Sequence, residues 1–358
     1  GIHMKTYQKV FYKSSQDMTE IDNESVALVI TSPPYPMIEM WDDIFSKQNP
    51  KVAEAFYKKD YDAAFMLIHE FLNYVWKEIY RVLIPGGIAC INIGNATRTI
   101  NKVFRLFTNH SRIIYNFENI GFISLPDIIW RKPTNAPNKF MGSGMYPPGA
   151  YVTFEHEYIL IFRKGDKRIF KNSKDIQKRR ESAYFWEERN VWFSDVWEFK
   201  GTSQNITGFT SRERSAAFPF ELAYRLVNMY SIKGDTVLDP FLGTGTTLIA
   251  ALASERNGIG YEIDESFSDL IHKNIMSSVA ELNNYINDRL IRHINFIKNE
   301  ESKSKKLYLC SHHGFSVKTK QETDIVINRI SNISYTGNNC YCVDYEPIQN
   351  ISQQLKMF

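Results

Sequence analysis

The stretch Thr236-Val-Leu-Asp239-Pro-Phe241-Leu-Gly243-Thr-Gly245-Thr-Thr247 limits what this chain can fold into more than any other. It reads as a strand, a glycine turn and a helix through Ala253, with a further strand at 258–263. A strand-helix-strand unit closes through parallel pairing and a right-handed crossover, so the chain is committed to an α/β architecture. The glycines let the backbone approach a bound group closely and aim helix N-terminal amides at it. No Lys precedes the hydroxyl residues, which excludes a P-loop. Leu248 stands where a dinucleotide fingerprint has its third glycine. Glu262 and Asp264 end the next strand, the place from which an acid binds ribose hydroxyls. The pattern supports a nucleoside and gives no support to a pyrophosphate. The alternative is a plain sheet turn with a capping acid.

A second stretch, Thr31-Ser32-Pro33-Pro34-Tyr35, follows the apolar run 26–30, which reads as a short buried strand. Two prolines stop the strand and hold the backbone extended. They fix the Ser32 hydroxyl, the carbonyls of Ser32 and Pro33 and the Tyr35 ring at the carboxyl edge of the sheet, where open α/β sheets bind ligands. A hydroxyl, a fixed carbonyl and an aromatic face suit a flat, hydrogen-bonding ring such as a nucleobase. A rigid turn with a core tyrosine fits the five residues equally well.

Between the two anchors, residues 61–82 place apolar side chains three or four apart and predict an amphipathic helix, ended by Pro85-Gly86-Gly87. A buried strand at 88–93 follows. The pattern predicts a helix over 99–119, a strand over 122–130 and a long Pro, Gly and Asn-rich loop over 132–150. The strand at 157–163 is expected to pair with 122–130 as a hairpin across that loop. Residues 163–180 hold nine Lys or Arg against two Asp, leaving the remainder of the chain net acidic although the total is +3. Such a run is either a solvated surface or a phosphate-contacting segment. The aromatic residues of 184–199 sit among charges; they either stack on bases or form the core of an insert. A helix is expected over 219–230 with Pro at its start, and another over 266–283. Residues 298–306 read as a linker and 307–346 as a small β-rich appendage. Cys310, His312, His313, Cys340 and Cys342 lack the usual zinc-ligand spacings, and no metal is expected.

The length of 358 residues suits one large α/β domain with an embellishment, or two domains. No apolar run is long enough to span a membrane and no signal peptide is visible, so a cytoplasmic protein is expected. Gly1-Ile2-His3 looks like an expression scar. Four Cys, with Cys90 inside an apolar strand, point to a reducing compartment.

Taken together, Ser32-Pro-Pro-Tyr35 and Phe241-Leu-Gly-Thr-Gly-Thr-Thr247 resemble the motifs of amino-methyltransferases that methylate exocyclic nitrogens of DNA bases with S-adenosylmethionine. The resemblance covers about residues 5–280 and extends to Arg81-Val-Leu-Ile-Pro-Gly-Gly, Ile128-Ile-Trp-Arg-Lys-Pro-Thr, His156-Glu-Tyr-Ile-Leu-Ile-Phe, Asp195-Val-Trp-Glu and Phe218-Pro-Phe-Glu-Leu-Ala. The catalytic tetrad precedes the cofactor motif, which is similar to the circularly permuted β-class order. The resemblance implies a Rossmann-like methyltransferase fold, with a mostly parallel seven-stranded sheet, an antiparallel hairpin and a C-terminal appendage. It divides the chain into a catalytic half (4–163), a target-recognition insert (164–214), a cofactor half (215–284) and an appendage of unassigned role (285–358).

It also implies residue roles. Ser32, Pro33, Pro34 and Tyr35 are the catalytic set. Ser32 and the Pro33 carbonyl accept the two N–H groups of the target amine, and Tyr35 stacks on the flipped base. Asp239, Pro240, Phe241, Gly243, Gly245 and Thr246 form the cofactor turn with Thr31; Glu262 takes the ribose, Phe218 the methionine end and Asp17 the adenine end. Ser at the first tetrad position is usual for cytosine-N4 enzymes and Asp or Asn for adenine-N6 enzymes, so Ser32 favours cytosine. Lys171, Lys174, Lys178, Arg179 and Arg180 are the expected DNA contacts. The expected partners are double-stranded DNA and a cognate restriction endonuclease, with the chain a monomer or homodimer. The competing readings are an adenine-N6 DNA methyltransferase, a catalytically silent DNA-binding module and an RNA or small-molecule methyltransferase.

Overall fold

The run expected as a buried strand is β2 (Val26–Thr31), and every residue in it is buried. Leu28 and Ile30 belong to one apolar core, Val26 and Val29 to another on the opposite face. A strand covered on both faces has no need of a polar alternation, which is why its sequence is continuously apolar. The computed structural model describes residues 4–132, 144–199, 218–303, 305–348 and 351.

In chain order, β1 (Lys5–Phe11) and β2 precede three helices, α1 (Asp42–Gln48), α2 (Pro50–Tyr57) and α3 (Tyr61–Val82). Next come β3 (Leu83–Ile93), β4 (Ala96–Ile100), β5 (Val103–Phe107), α4 (Asn109–Ile120), β6 (Ile123–Arg131) and β7 (His156–Arg163). The segment after β7 forms α5 (Ser173–Glu181), α6 (Trp186–Trp192) and β8 (Val196–Glu198). The cofactor-motif half gives α7 (Phe220–Tyr230), β9 (Thr236–Asp239), α8 (Thr246–Ala253), β10 (Asn257–Tyr261), α9 (Ser268–Met276) and α10 (Val279–Glu301). Two short strands, β11 (Tyr308–Leu309) and β12 (Ser316–Val317), and the long hairpin of β13 (Asn328–Gly337) and β14 (Cys340–Pro347) complete the described chain.

Among the described residues the main sheet has ten strands, in the order β13-β14-β1-β10-β9-β2-β3-β7-β6-β8. The seven from β1 to β6 in that order are the expected core. Pairing is parallel from β1 through β3 and antiparallel for β3–β7 and β7–β6, so the expected hairpin is present. The C-terminal hairpin extends this same sheet, because β14 pairs antiparallel with the free edge of β1. Helices α7 and α8 cover one face; α3 and α4 cover the other.

Several local expectations change. The helix expected over 99–119 starts only at Asn109; the residues before it form the β4–β5 hairpin. Asn101 and Lys102 turn that hairpin at φ 50° and 67°, and the β-branched Thr97, Thr99, Ile100 and Val103 suit strands. Pro85-Gly86-Gly87 lies inside β3, just past the end of α3. Gly86 adopts φ 82°, and a Cβ there would sit 2.4 Å from the backbone nitrogen of Arg168. The expected linker at 298–306 is helix as far as Glu301. The buried stripe of Leu290, His293 and Ile297 leads into that polar stretch, where Glu300 is buried. The aromatic residues of 184–199 resolve toward the core reading: Phe185, Trp192 and Trp197 are buried, while Trp186 and Phe193 are exposed. Residues 133–143 of the long loop and 200–214 of the insert lie outside the described residues.

Candidate active site

Both anchor loops leave the carboxyl ends of adjacent strands. β2 pairs parallel with β9, so Thr31 and Asp239 come side by side. The Thr31 hydroxyl donates to Asp239 Oδ1 at 2.5 Å, the Thr247 hydroxyl donates to Oδ2 at 2.7 Å, and the Phe241 amide donates to Oδ1 at 3.0 Å. One buried carboxylate thus ties the proline loop, the glycine turn and the first turn of α8 together. Burial pushes its pKa up to about 6, against the three hydrogen bonds that lower it. Thr31 and Asp239 serve the frame of the site and are absent from the lining of its cleft.

The glycine turn carries two left-handed residues, Gly243 at φ 62° and Gly245 at φ 99°; Gly245 is the N-cap of α8. The Gly243 amide donates to Glu262 Oε1 at 2.9 Å, and the Asp264 amide to Oε2 at 2.8 Å. Burial raises the Glu262 carboxyl to about 7 in spite of these bonds. Above the turn opens a cleft whose empty space, counted out into the solvent at its open mouth, is about 970 Å³. Ser32, Pro34, Phe218, Pro240, Phe241, Gly243, Thr246 and Glu262 line it, and Trp41, Phe45 and Phe71 add an apolar wall. The structure therefore brings eight of the fourteen residues expected for catalysis and cofactor binding to one cleft. Asp17 is a correction: it is exposed and lines a separate depression with Arg81 and Glu78. Lys13, Ser14 and Ser15 stand at the cleft in its place, because the chain turns away after Ser15 to bury Met18.

Beyond Ser32 lies a polar cluster that the sequence reading missed. Ser32 Oγ donates to Tyr35 Oη at 3.4 Å. Tyr35 Oη lies 3.2 Å from Asn92 Oδ1 and makes a short hydrogen bond to Glu157 Oε1. Lys132 pairs with the other oxygen of Glu157 and stacks its ammonium over the Trp130 ring. Burial, and next the Glu157 charge, push the Tyr35 hydroxyl well above its usual pKa. Asn92 and Glu157 both sit near the carboxyl edge of the sheet; a polar side chain in the apolar run of β3 is the signal that marks Asn92, and Glu157 stands just before the apolar run of β7.

The basic run does not reach this cleft. Lys171, Lys174, Lys178, Arg179 and Arg180 lie on or just before α5. That region docks at the opposite, amino edge of the sheet: Ser182 Oγ accepts from the Lys233 amide and Arg168 pairs with Asp235, both just before β9. The cleft opens at the other end of the same strand.

A family model described as DNA methylase (N6_N4_Mtase) matches residues 26–273, which hold both loops and the strands that carry them. The chain belongs to this DNA methylase family. It is 53% identical over 324 residues to Type II methyltransferase M.MthZI of Methanothermobacter thermautotrophicus, covering 90% of each chain. It is 52% identical over 286 residues to Type II methyltransferase M.MjaI of Methanocaldococcus jannaschii, covering 77% of this chain and 93% of that one. Among solved structures, a putative DNA modification methylase of Thermus thermophilus, TTHA0409, in complex with S-adenosyl-L-methionine, matches with a TM-score of 0.56 and 31% identity over 75% of this chain and 93% of its own. The PvuII DNA methyltransferase (cytosine-N4-specific) has a TM-score of 0.54 at 17% identity, over 75% of this chain and 93% of its own, a likeness of fold. In this chain the Ser32 loop precedes the glycine turn, and both stand on one sheet edge.

Proposed function

We propose that this DNA methyltransferase transfers a methyl group from S-adenosylmethionine to N4 of cytosine in duplex DNA. The observation that carries the reading is the position of Ser32. It lines the cleft beside the glycine turn and also touches the Tyr35 cluster, which supports reading it as the link between a cofactor and a target base. The cleft suits an adenosyl group. Glu262 keeps free lone pairs on both carboxylate oxygens after its two backbone bonds, and these suit ribose hydroxyls. Phe218 and Phe241 give apolar walls for the rest. When bound, the cofactor supplies an electrophilic sulfonium methyl.

The chain supplies position and hydrogen bonding. An exocyclic amine is a weak nucleophile because its lone pair is delocalised into the ring. Ser32 Oγ and the Pro33 carbonyl accept its two N–H groups and favour a tetrahedral nitrogen whose lone pair points at the methyl carbon. The two prolines hold that geometry without further ordering, and contact distance between the reacting groups removes much of the entropic barrier. Tyr35 gives the flipped base an aromatic neighbour. Type II relatives support a role in restriction–modification, protecting a site that a cognate endonuclease would cut.

The test is methyl transfer from labelled S-adenosylmethionine to unmodified genomic duplex DNA, followed by nucleoside analysis. N4-methylcytosine is the expected product. Label found only as N6-methyladenine would overturn the cytosine assignment, and no incorporation into DNA would overturn the whole reading.

A further inference from the structure

The cluster behind Ser32 has more acceptors than protons. Tyr35 Oη has one proton to give and faces two acceptors, Glu157 Oε1 and, at 3.2 Å, Asn92 Oδ1. Asn92 cannot turn its amide to donate there, because its Nδ2 already donates to the Tyr158 carbonyl at 3.2 Å. The Ser32 hydroxyl donates into this cluster at 3.4 Å. Its own lone pairs therefore face the cleft, where a donor is needed. A hydroxyl, a phenol and a carboxylate follow one another in line, and the Glu157 side chain is only 12% exposed.

We propose that Ser32, Tyr35 and Glu157 form a proton relay that removes the proton released by the target amine, with Glu157 as its terminal acceptor. The proposal rests on the reading of Ser32 as the residue that holds that amine. As the new N–CH3 bond forms, the methyl–sulfur bond breaks and its electron pair stays on sulfur, leaving a neutral thioether. The amine nitrogen, now cationic, gives a proton to Ser32 Oγ. Ser32 passes its own proton to Tyr35 Oη, and Tyr35 passes its own to Glu157 Oε1. The carboxylic acid so formed then loses the proton to solvent. Asn92 cannot fill this role, since an amide oxygen takes no proton near neutral pH. The high pKa of Tyr35 suits a group that passes a proton without holding a charge.

The charged and titratable groups that face Glu157 come from three elements. Tyr35 contributes from the proline loop, Lys132 follows β6, and His156 flanks on β7 itself, opposite Arg131. Glu155 precedes them and bonds the Lys132 amide through its carbonyl. Lys132 balances the charge of Glu157 through the oxygen that the relay does not use.

The experiment measures single-turnover methyl transfer to duplex DNA between about pH 5 and 9 for the full chain and for Glu157→Gln, Tyr35→Phe and the double variant. Calorimetric S-adenosylmethionine binding and thermal melting are followed in parallel. Both single variants should lose about 10²-fold in rate, in the range of general acid–base effects, with cofactor binding unchanged. The double variant should be no slower than either single one, as expected of residues acting as a unit. The pH dependence of the rate should differ between the full chain and Glu157→Gln. Tyr35→Phe keeps the ring, so its transfer at the wild-type rate would overturn the relay, as would a pH profile unchanged in Glu157→Gln. Should Glu157→Gln fail to melt cooperatively, Tyr35→Phe decides alone. A wild-type chain that binds cofactor and transfers no methyl to DNA would overturn the reading of the site and the relay with it. An active wild type with unaffected variants would overturn the relay alone.

Discussion

A buried carboxylate, Asp239, and a half-buried one, Glu262, do different work at neighbouring positions. Asp239 has three donors and joins loops, whereas Glu262 uses two backbone amides and keeps lone pairs toward the cleft. Burial raises both, Asp239 to about 6 and Glu262 to about 7. An acid whose folded pKa lies above its unfolded value binds more protons when folded. Both residues therefore favour the fold at low pH, and their contribution is lost as pH rises from about 4 through 7. Cofactor binding has the opposite sign. A ribose hydroxyl donates best to an ionised Glu262, so the dissociation constant for S-adenosylmethionine should rise as pH falls below about 7, approaching tenfold per unit. Calorimetry from about pH 5.5 to 8.5 would show this; a flat profile would remove Glu262 from the ribose. The pH at which the site works best is thus predicted to lie above that at which the frame is most stable.

Elements matter here through their ends. β3 ends at Ile93, and the next residue, Gly94, backs the Tyr35 ring. A Cβ on Gly94 would lie 3.1 Å from Tyr35 Cε2 and 3.4 Å from Glu157 Cγ. Gly94 lies outside the left-handed region, so the constraint is one of contact alone. Gly94→Ala should press the ring away from Glu157 and cut methyl transfer several-fold, while the calorimetric affinity for cofactor stays the same. Equal loss of both would show a wider disturbance of the loop. At the amino edge, α5 carries the densest positive charge and no part of the cleft. Replacing Lys171, Lys174 and Arg180 together by Ala should leave the KM for a DNA substrate within about threefold and reduce its salt dependence little, since the salt slope counts the phosphates neutralised. A steep loss of DNA affinity would return α5 to the DNA surface.

On the scale of the molecule, the C-terminal hairpin is part of the main core. Ile330, Ile333, Tyr341 and Val343 belong to the same apolar cluster as Leu28 and Val237. Tyr345 Oη donates to the Leu252 carbonyl at 2.6 Å and bonds Thr6 Oγ1 at 2.7 Å, joining β14 to α8 and β1. The insert is fastened from the other side, where Arg289 of α10 meets Glu188 of α6 at 2.7 Å. A chain ending at residue 303 would expose the edge of β1 and this apolar surface together. It should be recovered largely as aggregate, and any soluble fraction should lack the single cooperative melt of the full chain. A truncated chain melting as the full one does would show that the hairpin is dispensable.

The sequence by itself determined the frame and the near wall of the site. Local rules act within a few residues, and they are enough for an apolar run buried on both faces, a 22-residue amphipathic helix, a glycine turn and two prolines. From these follow the parallel sheet, the Ser32 loop, the glycine turn and Glu262 at its strand end. Local rules mistook the β4–β5 hairpin for helix, since Asn101-Lys102 lacks the glycine that marks such a turn, and they ended α10 too early. Only tertiary structure decided what depends on which strands lie side by side. Asn92 and Glu157 are far apart in the chain, yet β3 and β7 pair antiparallel and set both beside Tyr35. The same topology carried the basic run to the far edge of the sheet and left Asp17 outside the cleft. A charge pattern states what a segment can bind, whereas the edge at which its neighbouring strand begins or ends fixes where it stands.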